Sequence, residues 1–128
     1  MAARIELLTK LYGVRLIVSG DVLDLMQKKP EHRLLDKVIV KGAAQPVDLF
    51  EVFTPGFPTL PSEKCKEYQD AWDVYTQGDF ESASEQFEKL AGETGDKAST
   101  VLASRCSRLI NNPPADWNGI WRMDSKDG

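Results

Sequence analysis

Two cations in this chain stand where they could meet a polyanion. Arg4 falls in the first turn of a helix expected over Ala2 to Tyr12, in line with Leu7, Leu8 and Leu11. Its aliphatic stem can lie along the buried face while the guanidinium fork reaches a phosphate; the plainer reading is a solvated first-turn charge. Lys41 ends a β-rich run just before Gly42, as a phosphate contact or as a strand-end lysine facing water. Other reactive types read as inert. Asp21 and Asp24 fall on a short helix, as a cap and a solvated position. His32, beside Pro30 and Glu31, reads as a loop histidine with no base or metal partner in sequence. Cys65 and Cys106, the only cysteines, lie on apolar helix stripes and read as buried free thiols rather than a bridge or a reactive site.

The chain has 128 residues, 41% hydrophobic and 28% charged, which fits one ordinary globular domain or two small ones. No apolar run approaches the roughly 20 residues of a membrane span, and Arg4 and Glu6 among the first residues lead us to expect no signal peptide there. A soluble, cytoplasmic chain is expected. The formal charge of −4 argues against nucleic acid as the main partner. That charge is uneven: residues 1–61 carry +1 and residues 62–128 carry −5. The change coincides with Thr54 to Pro61, too rich in Pro and Gly for helix or central strand. It reads as a linker between modules at 1–53 and 62–112, with a Trp-containing tail over 113–128.

The elements that must hold the two cations follow from periodicity. Ile5, Leu8, Leu11 and Tyr12 mark the first helix, and Gly13 supplies a left-handed stop. Val14 to Ser19 is expected as a strand, and Asp21 to Gln27 as a short helix capped by Ser19 or Asp21. Asp36 to Lys41 and Val47 to Phe53 are two β runs joined by Gly42 to Pro46 in a hairpin. Past the linker the period becomes helical. Ser62 is expected to cap a helix to Thr76 burying Cys65, Tyr68, Ala71, Trp72 and Tyr75. Gln77-Gly78-Asp79 reads as stop, turn and new cap. The next helix buries Phe80, Ala83, Phe87 and Leu90, and Gly92 to Gly95 should break it. Asp96 caps a third helix whose inner face is Val101, Leu102, Cys106, Leu109 and Ile110. The expected class is α+β: a partial sheet of closing strands with one flanking helix, then a module of about three helices.

The spacing Ala71…Gly78-Asp79-Phe80…Ala83…Phe87 is similar to one tetratricopeptide helical hairpin. No second copy follows, and stacked repeats need about three units for stability. Trp117 and Trp121 flank Asn118-Gly119. They either pin the tail to its own helices or anchor another chain.

Four stretches carry a more specific resemblance. They are Met1-Ala2-Ala3-Arg4-Ile5-Glu6; Val14-Arg15-Leu16-Ile17-Val18-Ser19-Gly20; Arg33 to Gly42 with Pro46-Val47 and Phe50-Glu51-Val52; and Arg105-Cys106 followed by Pro113-Pro114…Trp117-Asn118-Gly119. In this order they resemble the closing part of a class III adenylate or guanylate cyclase catalytic domain and the helical extension that follows it. The family pattern has an Asn four residues before the Arg, a position that would lie ahead of Met1. The chain is thus expected to be the tail of a cyclase, separated by truncation, by a start assigned at an internal Met, or by division between chains.

The resemblance implies a reaction and a division of labour. Class III cyclases turn a nucleoside triphosphate into a 3′,5′-cyclic monophosphate and pyrophosphate, with two Mg²⁺ or Mn²⁺ ions on Asp carboxylates. The site lies between subunits: one brings the metal carboxylates, the other an Asn and an Arg. Arg4 matches that Arg, which meets charge developing on the phosphoryl oxygens. Lys41 matches a lysine that contacts the terminal phosphates. The metal-binding and base-selecting residues belong to strands upstream of the matched region. ATP or GTP would therefore be used only in a complete dimeric site, with a cyclase-type homodimer or the other catalytic half as partner. The chain alone is expected to be inactive. A non-catalytic interaction or regulatory module, using the helical hairpin and the Trp tail, is the other function the sequence allows.

Overall fold

A computed structural model of the chain describes residues 8–28, 31–39, 44–53 and 60–122. They fall into two compact units, one within 1–59 and 120–128, the other 60–119. The class is α+β, a four-stranded mixed sheet plus a helical module.

In the sheet unit, residues 8–12 are helical and form α1. Gly13 ends it at φ 68°, and the Val14 N–H closes the turn on the Thr9 carbonyl at 3.0 Å. With its N–H spent there, Val14 does not enter the ladder. The strand expected over 14–19 is accordingly shortened to β1, Ile17–Ser19. Ser19 then caps α2, Gly20–Leu25, its hydroxyl accepting from the Val22 N–H at 3.3 Å. This helix starts earlier and stops earlier than its apolar spacing suggests.

β2 spans His32–Ile39 and β3 spans Val47–Val52, an antiparallel pair in register from His32↔Val52 to Val38↔Val47. β2 therefore begins four residues before the expected start at Asp36, and His32 sits on a strand rather than a loop. Its ring meets Phe50 edge-on, centroids 5.6 Å apart. A bulge between Leu34 and Asp36 inserts one residue, so Leu35 and Asp36 are both buried. β1 pairs antiparallel with the other side of β3. On the far side of β2 lies β4, Trp121–Arg122, parallel to it through Val38↔Trp121 and Ile39↔Arg122. The order is β1-β3-β2-β4. β4 was not expected, because a two-residue strand has no periodicity to read.

The helical unit holds three 15-residue helices: α3, Ser62–Thr76, α4, Phe80–Thr94, and α5, Lys97–Asn111. Pro61, not Ser62, takes the N-cap place of α3, its carbonyl accepting from Lys64 and Cys65. Leu60, expected in the linker, is fully buried with this unit. Asp79 and Asp96 cap α4 and α5 through the N–H groups of Ser82 and Ser99. α4 runs through Gly92 and stops only at Gly95, which is left-handed at φ 73°. The core takes Tyr68, Ala71, Trp72, Tyr75, Phe80, Ala83, Phe87 and Leu90 as expected. On α5 the inner face is rotated from the expected one. Leu102, Cys106 and Leu109 are buried with Ala98, Ser99, Ala103 and Arg105, while Val101 is half-buried and Ile110 exposed.

Candidate functional site

The two cations singled out by type and context, Arg4 and Lys41, lie outside the described residues, as do all of residues 40–43, which follow β2 in the chain. The structure instead describes the scaffold next to them along the chain. It is built around buried polar side chains that sequence inspection did not single out.

Arg33 on β2 and Glu51 on β3 are directly opposite each other. The Arg33 Nε donates to Glu51 Oε1 at 2.7 Å, with side chains only 3% and 1% exposed. Two pairs along the ladder, the Tyr12 hydroxyl of α1 donates to Asp36 Oδ2 at 2.5 Å, and the Lys37 N–H donates to Oδ1 at 2.8 Å. Tyr12 and Asp36 are fully buried. The bulge makes this possible: without the inserted residue, strand alternation would send Asp36 to the face opposite Leu35. A charge in such a place is tolerated only when hydrogen-bonded, and these are. Among the described residues no buried side-chain nitrogen or oxygen lacks a partner.

One concavity of about 750 Å³ opens beside the start of α2 and the β2–β3 hairpin, lined by Ser19 to Val22, Lys37 and Ala44 to Asp48. Lys37 and Asp48 face each other across the strands at 4.0 Å, both roughly half-exposed, a pair of little energetic weight. Asp21 adds a second carboxylate to the lining. With one cation against two anions, these described residues make a poor phosphate cradle. Asp21, Asp24 and His32 are not brought together in any cluster. Among the described residues no group of three or more His, Cys, Asp or Glu is placed to hold a metal ion. The described residues do not fit the two-ion centre implied by the resemblance.

In the helical unit the tail folds back on its own helices. The Trp117 indole Nε1 donates to the Tyr75 carbonyl at 2.8 Å, joining the Gly78 N–H that donates to the same oxygen at 3.1 Å at the end of α3. Its ring packs edge-on against Tyr75 and Phe80, centroids 5.0 and 5.2 Å away. Gly119 allows the close fit. A Cβ on Gly119 would stand 3.1 Å from Thr76 Cγ2, and its φ is 82°. Arg105 is buried beneath, its Nη1 donating to the Tyr75 hydroxyl at 3.4 Å. The motif residues Arg105, Trp117 and Gly119 thus converge on the end of α3. Trp121 departs from this arrangement, as it belongs to β4 of the sheet unit.

Neither Cys65 nor Cys106 forms a disulfide. Cys106 is buried, and burial pushes its pKa up to about 12. Cys65 is half-buried and donates weakly to the Leu60 carbonyl at 3.6 Å. No helix among the described residues is long and apolar enough to cross a membrane. Comparison with protein-family models, curated proteins and solved structures finds no match to this chain.

Proposed function

We propose that this chain is the closing part of a class III nucleotidyl cyclase catalytic domain with its helical extension, taking part in cyclic-nucleotide synthesis. Arg4 is the cation for charge developing at the α-phosphate, and Lys41 meets the terminal phosphates of ATP or GTP. Mg²⁺ or Mn²⁺, held by carboxylates of another segment or subunit, would supply nucleophile activation and charge neutralisation. By itself the chain makes no cyclic nucleotide.

The observation that carries this reading is the order of the sequence motifs, matched from Met1 to Gly119. Two features of the fold support it. The stretches resembling closing strands pair with one another in one sheet, and Arg105, Trp117 and Gly119 of the extension motif share one packing site. The interaction-module alternative loses one of its anchors, since the Trp117 ring and N–H are engaged within the chain.

The test is reconstitution. The purified chain is assayed with Mn²⁺ and ATP or GTP, alone and with a cyclase catalytic subunit that keeps its metal carboxylates but lacks its own transition-state Arg. Product only in the mixture supports the reading; no product in either condition counts against it.

A further inference from the structure

We draw no further inference here: the strongest candidate, the exposed apolar surface of Leu16, Val22 and Leu25 flanking the edge strand β1, carries nothing because nothing in the structure shows what covers it.

Discussion

Arg33 and Glu51 face each other across β2 and β3 and are joined at 2.7 Å inside the sheet unit. Removing one partner leaves the other charge buried and uncompensated. Glu51→Ala should destabilise the sheet unit by about 3–5 kcal/mol, whereas the double change Arg33→Met, Glu51→Leu should cost much less. Denaturant unfolding of the single and double variants checks this. Equal losses in the two would contradict a buried pair.

Tyr12 ties α1 to the bulged strand through Asp36. Tyr12→Phe keeps the ring but strips the Asp36 carboxylate of one donor, at about 1–3 kcal/mol. Hydrogen exchange read by mass spectrometry should show faster exchange in the peptide covering residues 8–14 while the helical unit is unchanged. No change in that peptide would mean the contact does not hold α1.

The tail latch of the helical unit gives a graded series. Trp117→Phe should cost about 1 kcal/mol for the lost indole donor, and Trp117→Ala about 3–5 kcal/mol. Gly119→Ala meets both a left-handed backbone and Thr76 at 3.1 Å, while Gly95→Ala meets the backbone strain in open space. Both should lower the thermal midpoint, Gly119→Ala by more. The reverse order would indicate that the tail does not seat as described.

Cys106 ties stability to alkaline pH. Its folded pKa lies at about 12, above the roughly 8.5 of an exposed thiol. The native state therefore holds its proton where the unfolded chain loses it. The group's contribution is fully present below pH ~8.5 and declines as pH rises from there towards 12. Cys106→Ala should flatten that alkaline decline. At pH 8, alkylation followed by peptide mapping should label the half-buried Cys65 and spare Cys106.

Much of this fold is legible because its signals are local. Ser19, Asp79 and Asp96 cap the helices that follow them, and Gly13 and Gly95 stop the ones before, each through contacts within a few residues. The helical core follows from the 3.6-residue period. The polar interior of the sheet is not legible in this way. Arg33 finds Glu51 18 residues away, and Tyr12 finds Asp36 24 residues away, only after the ladder and its bulge are set. The adjacent Leu34-Leu35 was the one local sign that alternation breaks there. β4 depends wholly on its partner, because Trp121 and Arg122 become a strand by lying along Val38 and Ile39. The Trp117 latch was one of two readings of the tail, and only the position of Tyr75 decides between them.

Arg4 carries the functional proposal, and its replacement tests it most directly. Cyclic-nucleotide formation is measured for the chain mixed with the Arg-deficient catalytic subunit, using unmodified chain, Arg4→Lys and Arg4→Ala. A lost oxyanion contact predicts a fall in turnover on the order of 10²–10³ for Arg4→Ala, with Arg4→Lys in between. Turnover that is equal in all three mixtures would contradict the proposal.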